Sequence, residues 1–477
     1  MELMKKNDLV TVKIEDIGHD GAGIGKDEGF TVFIKDTVIG DVVSARIMKA
    51  KSSHAFAKLE KVVSPSSFRV VPKCKIHRQC GGCQLQSFSY DKQLEYKENK
   101  VRNHLIRIGG FTPALIASVM EPIIGMEEPF RYRNKAQYPL GYDKAGNLIT
   151  GFYAGRTHDI IANTDCLLGD VRNQAILEAV LAYLRENKVT AYDEKSGTGL
   201  VRHILLRSGF YTEEMMVCFV VNAKKMDEAK KSFIRPQELI LALTKIPGMV
   251  SISLNLNAER TNVIMGKETH VLWGQDVISD KLHFRDSRHN FADTGRCFTF
   301  QISPLSFYQV NPLQAEKLYS LALEYAQLTG KEIVWDLYCG IGTISLFMAT
   351  AAQKVYGIDM VPEAVHDARL NALNNGIENI TFLSGKTEDV LAETYAREGI
   401  DADVVIVDPP RKGCDSECLQ AIIKMQPKRV IYISCDSATL ARDLQILCND
   451  GYQLKRVRAI DQFGQTVHVE TICLLEK

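Results

Sequence analysis

Residues 333–346 read IVWDLYCGIGTISL. An apolar β-type run gives way to Gly340 and Gly342, and a helix-like run follows at once. Glycines at a strand-to-helix turn let the backbone approach a ligand closely, and ligands of such sheets bind beyond the strand C-termini. The same alternation continues outward. PLQAEKLYSLALEYAQL (312–328) has helical spacing, KVYGID (354–359) is strand-like and PEAVHDARLNALNNG (362–376) is helical. ADVVIVD (402–408) and RVIYIS (429–434) are strands, and SATLARDLQILCNDG (437–451) is a helix. This rhythm predicts a doubly wound α/β domain on a parallel sheet.

A GxG turn alone would also suit a nicotinamide dinucleotide. The third glycine of the pyrophosphate fingerprint is missing here, since Ser345 stands in its place. A nucleoside cofactor without phosphates, S-adenosylmethionine, fits better. Asp359 closes the next strand, where an acid can accept hydrogen bonds from ribose hydroxyls. Asp408 ends the strand of VVIVDPPRKG, before two prolines that stiffen the loop; the plainer reading of this aspartate is a turn cap. Amino-group methyltransferases need an aromatic residue after such prolines to stack on the base. Arg411 occupies that place, which argues against nitrogen chemistry.

In IYISCDSATLARDL (431–444) a cysteine, Cys435, sits at the lip of a strand rather than inside the apolar run, where a packing cysteine belongs. A helix beginning just after it is expected to favour the thiolate through its dipole. In TVHVETICLL (466–475), Thr466, His468 and Glu470 alternate with apolar residues and are expected to share one strand face. Glu470, once partly desolvated, can accept a proton. His468 is the rival base, with packing or orientation as its plainer role.

DLYCGIGT, DPPRKG, SCDSATLARD and HVE, in this order, resemble the RNA (uracil-5-)-methyltransferase family, and the resemblance covers nearly the whole chain. It implies a class I, Rossmann-like methyltransferase domain that uses S-adenosylmethionine to make 5-methyluridine in 23S ribosomal RNA. Cys435 is then the nucleophile that adds to carbon 6 of uracil, and Glu470 the base that removes the proton from carbon 5. The resemblance carries cofactor contacts onto Gln309, Tyr338, Asp359 and Asp408, beside Gly340 and Gly342. The sequence departs from the family pattern at Asp436-Ser437, where Asn-Pro is usual, and at Gly464, where proline follows the phenylalanine. Transfer-RNA methylation and a non-catalytic iron–sulfur RNA-binding or assembly factor are the alternatives.

Residues 8–62 alternate apolar and polar, with turn signals such as HDGAGIGKDEG, and suggest a small antiparallel barrel. The resemblance makes this an OB-like TRAM domain over 1–66 that binds RNA. A central α+β domain is expected over 67–300, with strands including KAQYPLGY and TNVIMG and helices near 170–187 and 226–245. A helix near 90–110 is expected to pack on the catalytic domain, residues 301–477. In CKIHRQCGGC, Cys74, Cys80 and Cys83 are spaced C-x5-C-x2-C, and Cys166 could supply a fourth ligand. Four thiolates suit structural zinc or an iron–sulfur centre; the resemblance favours a 4Fe–4S cluster.

Formal net charge is zero, but residues 46–135 hold 17 Lys and Arg against 7 Asp and Glu. That asymmetry fits a basic face meeting RNA phosphates. A stacked uracil is out of reach, so the target should lie in a loop or be flipped out. Arg131, Arg133 and Lys135 interleave with Phe130 and Tyr132, equally readable as RNA contacts or as an ordinary strand. No apolar run approaches the roughly 18 residues of a membrane span, and the N-terminus lacks a secretory signal, so a cytoplasmic protein without an obligate protein partner is expected.

Overall fold

Alternating apolar residues at the N-terminus form five strands: β1 (Leu9–Ile17), β2 (Gly23–Asp27), β3 (Phe30–Ile34), β4 (Val42–Ala50) and β5 (His54–Ser64). In the computed structural model, which describes residues 4–387, 389–391 and 401–477, they close a barrel in the order β1-β2-β3-β5-β4. Ile14, Val32, Ile34, Val43 and Ile47 fill it. Two features differ from the sequence expectation. The glycine-rich stretch read as a turn contains β2, because a Cβ on Gly23 would meet Thr37 Oγ1 at 2.0 Å and one on Gly25 the Lys13 carbonyl at 2.7 Å. Glycine here serves close strand crossing, not only turning. The barrel is also not wholly antiparallel, since β3 pairs with β5 in parallel, Thr31 against His54. Buried Asp41 pins the barrel's exit: it accepts from Val38 N (2.7 Å), Ser66 N (2.9 Å) and Arg69 Nη2 (2.6 Å).

The chain forms two compact units. The first comprises Met1–Lys100, Phe152–Ile161 and Phe463–His468; the second comprises Val101–Gly151, Ala162–Gln462 and Val469–Lys477. After β6 (Met120–Ile124) come β7 (Lys135–Tyr142), β8 (Leu148–Tyr153), β9 (Ile160–Ala162), β10 (Val201–Ser208), β11 (Met215–Val221), β12 (Met249–Leu256) and β13 (Glu268–Gly274). They form a sheet in the order β13-β12-β11-β10-β7-β8-β9. TNVIMG is not a strand. Asn257 Nδ2 takes the carbonyls of Val263 and Ile264 (2.8 and 2.9 Å), and Asn255 Oδ1 takes Gly266 N (2.6 Å), so side chains consume the bonds a ladder would need. The helical stretch near 226–245 is two helices, Met226–Ser232 and Pro236–Leu243, with Arg235 between them at φ 52°. Proline lacks the N–H to continue a helix but suits its first turn.

Beyond the β14 (Ile278–Asp286) and β15 (Ala292–Ile302) hairpin lies the large sheet. Its strands are β16 (Ile333–Leu337), β17 (Lys354–Asp359), β18 (Ile380–Ser384), β19 (Val404–Val407), β20 (Arg429–Ser434), β21 (Gln453–Ile460) and β22 (Glu470–Glu476). The order is β18-β17-β16-β19-β20-β22-β21-β6. Strands β16 to β20 are parallel, as the helix–strand rhythm predicts. β22 runs antiparallel to both its neighbours, and β6, from far earlier in the chain, adds a parallel edge strand beside β21. One face packs on Leu318, Phe347 and Ile431, the other on Trp335, Tyr432 and Leu444. Each side chain so buried contributes about 1.5–3 kcal/mol. Val101 and Leu105, from the helix Tyr90–Arg107, are fully buried in that second cluster.

Candidate active site

The reversal of β19 neighbours relative to β16 opens the crevice where a doubly wound sheet binds ligands. Every predicted catalytic and cofactor residue except Gln309 lies at, or a few residues beyond, an end of one of this sheet's strands. Tyr338, Gly340 and Gly342 follow β16, all with positive φ (71°, 55° and 83°). For tyrosine this is a strained conformation, of the kind found where a ligand site over-determines the backbone. Nothing lies within 4 Å of a Cβ built on Gly340, so its backbone faces open space. Asp359 ends β17 and is held by Gly340 N (3.0 Å) on one oxygen and Val361 N (2.8 Å) on the other. Each oxygen keeps a further lone pair able to accept a hydrogen bond. Ser345, where the dinucleotide fingerprint has glycine, donates to buried Asp336 (2.5 Å) and locks the turn from below. These features fit the nucleoside part of S-adenosylmethionine.

The thiol and the carboxylate meet through strand register. β20 and β22 pair Ser434 with Thr471. Cys435 directly follows β20 and Glu470 opens β22, so the two stand at the same end of this antiparallel pair, close enough for the carboxylate to act on the thiol. Glu470 is 1 % exposed and its Oε1 has no hydrogen-bond partner. Burial holds its carboxyl well above the usual range, the charge of Asp408 adds to this, and Arg411 opposes it. Burial likewise lifts Asp408 to about 7. Cys435 is half-buried and pushed up to about 11 by burial, then by Glu470 and Asp408, against the pull of Arg411.

In the free protein, burial, Glu470 and Asp408 raise the Cys435 thiol even though a helix starts just after it. The helix Ser437–Asn449 does start after the thiol, but Asp436 caps it, accepting from Ala438 N (2.9 Å) and Thr439 N (3.2 Å). The shared strand face of Thr466, His468 and Glu470 is not formed. β22 begins only at Glu470, and Thr466 Oγ1 donates to the Phe463 carbonyl (2.7 Å) in a turn. Thr466 and His468 belong to the first unit, Glu470 to the second.

Gln309, on the approach to the helix Pro312–Ala326, is nearly buried, with its carbonyl taken by Asn134 Nδ2 (3.0 Å). Cys74, Cys80 and Cys83 lie in the first unit and Cys166 in the second, each partly buried. Among the described residues no group of three or more His, Cys, Asp or Glu is arranged to hold a metal ion. Among the described residues, then, nothing supports the expected 4Fe–4S cluster.

A family model described as tRNA (Uracil-5-)-methyltransferase matches residues 253–477, and a TRAM domain model matches 5–59. An RNA methyltransferase of Clostridium tetani is 44 % identical over 473 residues, covering 99 % of this chain and 97 % of the relative. One of Staphylococcus epidermidis is 44 % identical over 99 % of this chain and 98 % of its own. The chain belongs to the RNA (uracil-5-)-methyltransferase family. The crystal structure of Pyrococcus abyssi tRNA (uracil-54, C5)-methyltransferase in complex with S-adenosyl-L-homocysteine superposes with a TM-score of 0.74 at 25 % identity, over 98 % of this chain and all of that one. The methyltransferase is thus an S-adenosylmethionine-dependent enzyme that acts on RNA, and its N-terminal barrel is a TRAM domain. Among the described residues no helix is long and apolar enough to cross a membrane.

Sequence reasoning used Arg411 only to exclude nitrogen chemistry. In the structure it is the cation acting on both Cys435 and Glu470. Its place directly after the prolines of the Asp408 loop was the available signal. Also unforeseen is a partly exposed aromatic trio on the barrel: Phe33 stacks on Phe56 (centroids 5.6 Å), and His54 meets Phe56 edge-on (5.2 Å). Alternation within β3 and β5 carried that signal.

Proposed function

We propose that this methyltransferase makes 5-methyluridine in 23S ribosomal RNA through a covalent adduct between Cys435 and carbon 6 of the target uracil. The observation that supports the reading is that Cys435, just past β20, and Glu470, the first residue of β22, share one sheet end, where Glu470, Asp408 and Arg411 all act on the thiol. S-adenosylmethionine supplies the methyl group. The Cys435 thiolate adds to carbon 6, which makes carbon 5 nucleophilic enough to take the methyl. Glu470, buried and with an unpartnered oxygen, then accepts the proton from carbon 5, and elimination frees the thiol. Tyr338, Gly340, Gly342, Asp359 and Asp408 line the cofactor side, and Gln309 meets its methionine part.

The barrel's Phe33, His54 and Phe56, with Lys51 5.8 Å from the Phe56 ring, supply stacking and charge for single-stranded RNA. Transfer RNA is the second reading, favoured by the substrate of the Pyrococcus enzyme. Methyl transfer from labelled cofactor to 23S ribosomal RNA and to transfer RNA separates the two. Turnover on transfer RNA alone rejects the ribosomal assignment. Normal turnover by Cys435→Ala, or failure to trap a 5-fluorouracil-containing RNA, rejects the adduct.

An iron–sulfur role for Cys74, Cys80, Cys83 and Cys166 rests on ligand chemistry and spacing, and no step above runs through it. Iron and acid-labile sulfide in anaerobically purified protein support it; zinc without iron overturns it.

A further inference from the structure

The side chain of Gln309 is held by a relay that decides which end of its amide faces outward. The relay starts at the backbone carbonyl of Asn311, which can only accept. Gln462, fully buried, brings Nε2 to 3.3 Å from that carbonyl. The reverse orientation would set two oxygens against each other, so the nitrogen must lie there. The same Nε2 lies 3.2 Å from Gln309 Oε1. Gln309 therefore presents its oxygen to Gln462 and its nitrogen away.

The backbone around both residues is fixed too. Asn311 Nδ2 donates to the Gln462 carbonyl (3.3 Å), and Asn134 binds Gln309 O and Val310 O (both 3.0 Å). Among the described residues Gln309 Nε2 has no protein acceptor, and it is not a sealed-off atom, whereas Gln462 Oε1 is buried without a partner. The arrangement serves the outward donor at the expense of Gln462's own oxygen.

We propose that Gln462 is a positioning residue that fixes Gln309 as a hydrogen-bond donor toward the carboxylate of the cofactor's amino-acid part. This rests on the reading of Gln309 as a cofactor residue. The two polar groups of that amino-acid part differ in sign: an ammonium needs an acceptor, a carboxylate a donor. An outward Nε2 selects the carboxylate.

The test is calorimetric binding of S-adenosylhomocysteine and of 5′-methylthioadenosine, which lacks the amino-acid part, to the full chain. Gln309→Ala should weaken S-adenosylhomocysteine about tenfold and leave methylthioadenosine unchanged. Gln462→Glu, ionised at high pH, can only accept; it draws Gln309 Nε2 inward and turns the oxygen out. It should match or exceed that selective loss, and lowering the pH until the new carboxyl protonates should restore binding. Gln462→Met keeps the bulk without the amide and should lose about threefold, selectively and without the new pH dependence.

If Gln309→Ala shows the selective loss but Gln462→Glu binds like wild type, or weakens both ligands equally, the relay is wrong and the cofactor reading stands. If Gln309→Ala leaves S-adenosylhomocysteine binding intact, both fall. Should Gln462→Glu fail to fold, an unaltered Gln462→Met rejects the relay.

Discussion

Replacing Glu470 by glutamine should make Cys435 more reactive toward an alkylating agent while abolishing turnover. In the free enzyme the thiol sits at about 11, against an ordinary 9.0, with burial the largest cause and Glu470 the next. At pH 8 only about one enzyme in a thousand then carries the thiolate. The net rise is roughly two pH units, with Arg411 opposing it, and Glu470 is its second cause, so removing that charge should recover about half to one unit. That corresponds to a three- to tenfold rise in thiolate and hence in alkylation rate at pH 8. The assay is the rate of iodoacetamide labelling of the peptide carrying Cys435, followed by mass spectrometry from pH 7 to 11 in wild type and Glu470→Gln. The midpoint should fall in the variant, and saturating S-adenosylmethionine, whose sulfonium is positive, should lower it in both. An unchanged or raised midpoint in Glu470→Gln would refute the claim that this carboxylate helps hold the Cys435 thiol protonated.

Asp408 offers a stability test. Its folded value of about 7 exceeds the ordinary 3.8, so the folded chain holds this proton more tightly than the unfolded one. The group costs nothing below pH 4, progressively more as pH rises toward 7, and its full amount above that. Asp408→Asn should therefore raise the melting temperature at pH 8, by the equivalent of at most about 4 kcal/mol, and leave it unchanged at pH 4; equal effects at both would contradict the burial argument. Asp41→Ala strips Arg69 of its buried partner and should destabilise the barrel by about 3 kcal/mol, seen as faster amide hydrogen exchange in residues 9–64; unchanged exchange would show that Asp41 is not the pin. Phe56→Ala should weaken binding of single-stranded RNA by about 1–3 kcal/mol in filter binding, with the barrel's circular dichroism retained; equal affinity would remove the aromatic trio from the RNA surface.

Much of the catalytic half was legible because its signals are local. A strand, two glycines and a helix in IVWDLYCGIGTISL require only neighbouring residues to agree, and the structure places Gly340, Gly342 and Asp359 where that pattern puts them. Asp408 and Cys435 were found because each directly follows an apolar run. Local rules failed where a distant residue took over. The glycines of β2 look like turn residues until Thr37 and Lys13 are seen against them, and TNVIMG reads as a strand until Asn257 claims its carbonyls.

By itself, then, the sequence determined the alternation of the large sheet, the barrel's run of strands and the place of Cys435 at a strand lip, because periodicity and turn chemistry act over a few residues. Tertiary structure alone decided the rest: that β22 turns back antiparallel and so brings Glu470 to the sheet end where Cys435 lies, that burial and carboxylates raise the thiol despite the helix after it, and that Gln462 hydrogen-bonds Gln309 from 153 positions away. These depend on strand register and on electric fields from residues remote in sequence, which reach their targets only after the chain has folded.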